Sequence, residues 1–209
     1  MEQKERAMKI IEELIPFYPA KTALNFKNPF QLLIATILSA QCTDNRVNRV
    51  TERLFKKYKT PQDLAISNLK ELEEDIKELG LFKSKAKNIK EASKMICEKY
   101  DGNVPDCFEE LVKLPGVGRK TANVVLANAF NKPALAVDTH VFRVSRRLGL
   151  SSGETPEKVE KDLVRLFPEE LWNTVHHLLI RHGRQCCRAR KPLCQQCAVS
   201  KWCNHFNNN

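Results

Sequence analysis

Apolar residues recur along this chain at three- and four-residue intervals, the period of a helix that buries one face. The opening stretch, MEQKERAMKIIEELI, reads as an amphipathic and heavily charged helix. Residues 30–40 are apolar enough for a helix buried all round, yet too few to span a bilayer. Residues 119–130 form a second such helix, since from Ala122 onward only Asn123 and Asn128 are polar. Residues 172–181 make another amphipathic run. No alternating apolar–polar series argues for a strand, and no sequence repeat, low-complexity linker or transmembrane segment interrupts the pattern. The periodicity predicts an all-α chain.

Capping residues set its expected boundaries. Thr60-Pro61 and Thr155-Pro156 each place a capping hydroxyl before a proline at the first helical position. Asp106 and Glu109 have the spacing of a capping box ahead of Leu111 and Leu114. Asp44 is expected to cap the helix after it, and Gly80 to end the helix before it. The acidic run at 71–78 reads as a solvated helix face, and residues 207–209 as a frayed tail.

Charge adds a partner class. Thirty-five lysines and arginines against 25 acidic residues leave a net charge of +10, which favours a polyanion and predicts salt-sensitive binding. The cations are not gathered in a tail. Lys83, Lys85, Lys87, Lys90 and Lys94 lie in one helical stretch, the usual composition of a solvated face. Arg188, Arg190 and Lys191 lie between two cysteines of a short turn-rich segment, where a metal-pinned loop would hold them at fixed positions. Eight cysteines would suggest disulfides in a small secreted protein. With 209 residues and no signal-like opening segment, a reducing cytoplasm is the expected compartment.

The most informative stretch is 114–139. Pro115-Gly116-Val117-Gly118 is a turn in which two glycines allow left-handed backbone and close approach. The helix that follows starts near Arg119, so its unpaired amides join those of the turn in an anion site suited to phosphate. Gly116, Val117, Gly118 and Arg119 are the candidate contacts. Lys120 sits on the first turn of that buried helix, where partial desolvation and the positive helix end both favour a neutral, nucleophilic amine. Its alternative is a lysine whose stem packs while its head reaches water. The helix is about 18 Å long. Residues 131–137 can return about 23 Å if extended. Asp138 can thereby come back to the helix start, while also capping the next helix.

Cys187, Cys194, Cys197 and Cys203 follow the spacing C-x6-C-x2-C-x5-C, which suits one tetrahedral zinc or a cubane cluster. Cys186 would lengthen the first gap to seven, so Cys187 is the preferred ligand. Cys42, Cys97 and Cys107 are isolated and read as packed thiols. His176 and His177 are adjacent and are not expected to form a metal pair, and His140 reads as an ordinary helical histidine.

Leu114-Pro-Gly-Val-Gly-Arg-Lys-Thr-Ala, followed by Val137-Asp-Thr-His-Val, resembles the helix-hairpin-helix signature of the DNA glycosylase superfamily. The lysine form, with its aspartate eighteen residues on and the cysteine spacing behind it, resembles the endonuclease III family. The resemblance covers nearly the whole length. It implies two helical domains with a cleft between them: a barrel over 21–132, and a cluster domain from 1–20 and 133–209. It implies a [4Fe–4S] cluster on the four cysteines, and Lys120 and Asp138 as catalytic residues. By the same motifs, Gln41 and Leu81 would fill the hole left by an extruded nucleotide. The implied activity is bifunctional: removal of oxidised pyrimidines from duplex DNA, then strand cleavage 3′ to the abasic site, in base excision repair. The partner is double-stranded DNA with damaged bases or abasic sites, no membrane is involved, and the chain is expected to act as a monomer. The alternatives are a monofunctional glycosylase of the same superfamily, a non-catalytic hairpin DNA-binding module, and a small electron carrier. Lys120 argues against the first, the Lys120–Asp138 pair against the second, and chain length against the third.

Overall fold

The structure, a computed structural model, describes residues 2–207. In chain order the helices are α1 (Gln3–Leu14), α2 (Pro29–Leu38), α3 (Asp44–Lys57), α4 (Pro61–Ile66), α5 (Leu69–Asp75) and α6 (Phe82–Lys99). They continue with α7 (Phe108–Leu111), α8 (Arg119–Ala129), α9 (Thr139–Leu148), α10 (Pro156–Leu166), α11 (Trp172–Gln185) and α12 (Asn204–Asn207). Among the described residues there is no strand. The chain forms two compact units, residues 22–132 and residues 1–21 with 133–209.

In the unit of residues 22–132, α2 is the central element. Asn28 caps it by accepting from the Gln31 amide at 2.9 Å, Pro29 occupies its first turn, and every residue from Leu32 to Leu38 is buried. It packs against α3, α6 and α8, which explains its apolar character on all sides. Thr60 and Asp63 form a reciprocal capping box on α4, which lies along α6. The acidic run is a largely exposed face, as expected, with its carboxylates held in surface ion pairs. Glu71 and Asp75 both pair with Lys57, while Glu78 pairs with Arg49 and Arg53 of α3.

The other unit joins the two ends of the chain. Ala7, Ile10, Ile11 and Leu14 of α1 enter one core with Val141, Val144 and Leu148 of α9, Leu163 of α10, and Leu178 of α11. Burying each of the three larger α1 side chains contributes about 1.5–3 kcal/mol. Arg6 fixes the register of α1, donating to the carbonyls of Leu148 at 2.8 Å, Gly149 at 2.6 Å and Trp202 at 2.7 Å. Those carbonyls close the end of α9 and precede Cys203, so the first helix is held by the last part of the described chain.

Several expected boundaries shift. Asp106 does not cap: its carboxylate pairs with Lys132, and α7 starts from Cys107 without a side-chain cap. Asp44 is the first residue of α3 rather than its cap, a position held by Thr43. Helix α5 ends at Asp75, and Gly80 lies in the irregular turn that follows. Of the expected tail, Asn207 closes α12, and residues 208–209 lie outside those described.

Candidate nucleic-acid interface and metal centre

The glycine turn is built asymmetrically. Gly116 has φ +79°, and a Cβ there would stand 2.9 Å from the Asn88 Cβ, so both backbone and packing demand glycine. Gly118, at φ −94°, needs no left-handed freedom, and a Cβ there would meet nothing within 4 Å. Its outer side is open. Val117 faces inward: its side chain is buried and its amide donates to the Leu114 carbonyl at 3.0 Å, which commits that amide within the turn. Gly118 is the N-cap of α8, so first-turn amides that lack intrahelical acceptors begin there, with Arg119 exposed and Lys120 half-buried on that turn.

Asp138 is the N-cap of α9. Its Oδ1 accepts from the His140 amide at 2.9 Å and the Val141 amide at 2.8 Å, so the cap occupies one carboxylate oxygen and leaves Oδ2 outside it. The ring of His140 is half-buried, and burial pushes it below its ordinary pKa, with the Asp138 charge opposing that shift. Helix α9 lies close to α11, where a Cβ on Gly183 would reach within 3.0 Å of His140 and Val144.

Gln41 and Leu81 share an unusual feature. Both are exposed, and both take left-handed backbone, at φ +56° and +58°. Non-glycine residues adopt that region at a cost, and bulky ones seldom do. Leu81 is also the N-cap of α6, a position where a leucine can supply no capping oxygen. Between the two loops lies Lys85, only 3 % exposed, with Nζ 3.2 Å from the Cys42 sulfur and its amide bonded to the Leu81 carbonyl. It is therefore not part of a solvated lysine face. Nor is Lys90, whose ammonium donates to the carbonyls of Ala65 and Ser67.

Cys187, Cys194, Cys197 and Cys203 line a single cavity, together with Cys186, His182 and the apolar Leu148, Leu193 and Phe206. Burial pushes the Cys197 thiol up to about 12 and raises that of Cys203, so thiolates are unfavourable here without a cation to hold them. Two arginines of α9 brace this segment. Arg143 donates to the Cys187 carbonyl through Nη2 at 3.0 Å, and to the Gly183 carbonyl at 2.9 Å. Arg147 reaches the carbonyls of Arg188 and Ala189 at 2.7 and 3.1 Å, and lies 3.6 Å from the Cys187 sulfur. Arg188, Arg190 and Lys191 are all exposed, and Lys191 has φ +51°. Three half-buried thiols and the buried Cys203 thus share one cavity with arginine donors beside them, a candidate set of metal ligands.

Residues 34–169 match the model of the HhH-GPD superfamily of base excision DNA repair proteins. The endonuclease III of Bacillus subtilis (strain 168) is 51 % identical over 204 residues, covering 97 % of this chain and 92 % of its own. The chain belongs to the endonuclease III family. The endonuclease III of Escherichia coli (strain K12) is 43 % identical, over 97 % of this chain and 96 % of its own. Among solved structures, a trapped endonuclease III–DNA covalent intermediate superposes with a TM-score of 0.94 at 47 % identity. It covers 100 % of this chain and 99 % of the other. A thermostable thymine-DNA glycosylase follows the same fold at 27 % identity and a TM-score of 0.85, covering 99 % of this chain and 97 % of the other.

Within an endonuclease III fold, three side chains escaped the sequence reading. Lys85 carries the same lysine signal as its exposed neighbours, and only its burial sets it apart. Arg143 and Arg147 look like the polar face of an amphipathic helix, yet they hold the carbonyls of Cys187 and Arg188, 44 and 41 residues on. No helix among the described residues is long and apolar enough to cross a membrane.

Proposed function

We propose that this chain is a bifunctional DNA glycosylase and abasic-site lyase of base excision repair, acting on oxidised pyrimidines in duplex DNA. The observation that carries the site assignment is backbone strain. Among the described residues, five non-glycine residues have positive φ, and two of them are the Asx residues Asp101 and Asn131, which tolerate that region. The other three are Gln41, Leu81 and Lys191, each one an exposed position that the family motifs or the basic loop mark for DNA contact. Strain retained at exposed side chains is the signature of a functional surface.

In this reading the open side of Gly118 and the first-turn amides of α8 receive a phosphate, while Gln41 and Leu81 fill the space of an extruded nucleotide. The amine of Lys120 attacks the sugar carbon C1′, and the bond from C1′ to the damaged base breaks. The base leaves with the bonding pair and takes up a proton. Asp138, through the oxygen that the cap leaves out, accepts the lysine proton or stabilises the positive charge on the sugar. Ring opening yields a protonated Schiff base. Loss of a C2′ proton then expels the 3′ phosphate oxygen, which cuts the strand, and water finally releases the lysine. The residues 22–132 carry the DNA-gripping hairpin and Lys120, and the remaining unit carries Asp138 and the cysteines.

Cys187, Cys194, Cys197 and Cys203 would hold a [4Fe–4S] cluster. When bound, that group supplies cross-linking of a loop-rich segment rather than a redox step, because neither reaction above changes an oxidation state. Arg143 and Arg147 pin the same segment from α9, so Arg188, Arg190 and Lys191 present fixed charges to phosphates. The protein works where duplex DNA is, in the cytoplasm, as a monomer.

Incubation with a duplex bearing an oxidised pyrimidine, followed by borohydride, tests the chemistry. A covalent adduct is expected, and Lys120→Gln should abolish both adduct and strand cleavage while DNA binding persists. Trapping by Lys120→Gln at the parent rate would assign the nucleophile to another amine.

A further inference from the structure

One cysteine of the C-terminal cavity is not used by the cluster. We propose that His182, Cys186 and Cys197 form a mononuclear zinc site that holds the C-terminal segment folded when the iron–sulfur cluster is absent. The Nε2 of His182, the Sγ of Cys186 and the Sγ of Cys197 all lie within 4.8 Å of one another, and Nε2 is 3.7 Å from the Cys197 sulfur. A tetrahedral zinc with ordinary bonds to sulfur and nitrogen places its ligand atoms about 3.6–3.8 Å apart. A cubane spreads its thiolates wider, because each one binds a different iron. The compactness of this trio therefore matches a single ion.

Local structure holds the trio in place. His182 and Cys186 stand four residues apart at the end of α11, on one helical face, and the Cys186 amide bonds to the His182 carbonyl at 2.9 Å. The histidine ring is 1 % exposed. Its far nitrogen, Nδ1, is 3.3 Å from the Tyr18 hydroxyl, the outer hydrogen bond that typically orients a metal-bound imidazole. Leu148, Leu193 and Phe206 line the same cavity. Zinc binding would release the two thiol protons to water, leave a fourth position for a water molecule, and change no oxidation state. Because the zinc trio and the cluster share Cys197, one chain holds one or the other.

The test uses the full-length chain grown without iron, titrated anaerobically with Co2+ and then Zn2+. One Co2+ per chain is expected, with the visible bands of tetrahedral cobalt and a thiolate charge-transfer band, both displaced by zinc. Cys186→Ala and His182→Asn should each weaken Co2+ at least about tenfold, since losing even an outer partner of a metal site costs that much. Cys187→Ala should leave Co2+ affinity unchanged. Cys186→Ala grown with iron should keep its brown colour. The proposal is overturned if Cys187→Ala weakens Co2+ as much as Cys186→Ala does, which would put cobalt on the cluster cysteines. It is equally overturned if no cobalt binds, or if the iron-free chain stays insoluble with zinc present. A colourless parent grown with iron would instead count against the cluster and leave the cobalt comparison readable.

Discussion

Arg147 donates through Nη1 to the Arg188 carbonyl across 2.7 Å, joining the helix that Asp138 caps to the basic loop between Cys187 and Cys194. Its second nitrogen holds the Ala189 carbonyl at 3.1 Å. Arg147→Ala should therefore free a loop rather than remove a DNA contact. Affinity for duplex DNA should fall several-fold, and the dependence of log K on log[salt] should become shallower as fixed phosphate contacts are lost, by about 0.9 for each one. Binding isotherms at several salt concentrations check this. A parent-like slope would show that the loop keeps its place without the arginine.

Asp138→Asn separates capping from chemistry. Asparagine caps helices about as well as aspartate, so the melting temperature should stay close to that of the parent. Base release should slow on the order of a hundredfold, the usual worth of a positioned acid–base group. Single-turnover assays of base release and strand cleavage measure it. Unfolding of the variant would reduce Asp138 to a structural cap.

Leu81→Gly should uncouple stability from activity. The left-handed backbone at φ +58° costs a leucine about 1 kcal/mol that glycine does not bear. The side chain is 57 % exposed, so its removal opens no core cavity. Stability should hold or rise by a few tenths to about 1 kcal/mol in urea melts. Lesion processing should drop at least tenfold in the same protein. Activity that survives intact would dismiss the wedge role.

Metal content tests the cysteine assignment. Iron-grown protein should be yellow-brown, with about four irons per chain and a broad absorption near 400 nm. Grown and purified without zinc, Cys194→Ser should lose colour and solubility together, since metal binding there contributes folding energy. Elemental analysis showing one zinc and no iron in the iron-grown parent would refute the cluster while leaving the Lys120 chemistry untouched.

Acid should weaken the unit that holds α11. Burial depresses His177 to about 3 from an ordinary 6.5, so the unfolded chain binds a proton that the folded one refuses. The stability this neutral histidine preserves is full above pH 6.5 and is lost progressively as pH falls toward 3. The melting temperature should decline across that window, and His177→Gln should flatten the decline. Calorimetry at several pH values decides it.

The features legible in the sequence were those made by neighbours along the chain. The glycine turn, the lysine after it, the capping aspartate and the cysteine spacing each depend on a few consecutive residues, whose backbone geometry follows from residue type. Even there local reading had limits: Gly118 needed no left-handed backbone, and the Val117 amide turned inward. What tertiary structure alone decided is which polar groups lie inside. Lys85 and Lys87 look alike in sequence, yet one is buried against Cys42 and the other is solvated. Arg143 and Arg147 reach the Cys187 and Arg188 carbonyls, 44 and 41 residues on, and His182 finds Cys197 fifteen residues on. Residue type sets what a side chain can bond to. Burial and long-range chain return decide what it meets, because a charged or polar group withdrawn from water must take whatever partner the packed core brings to it.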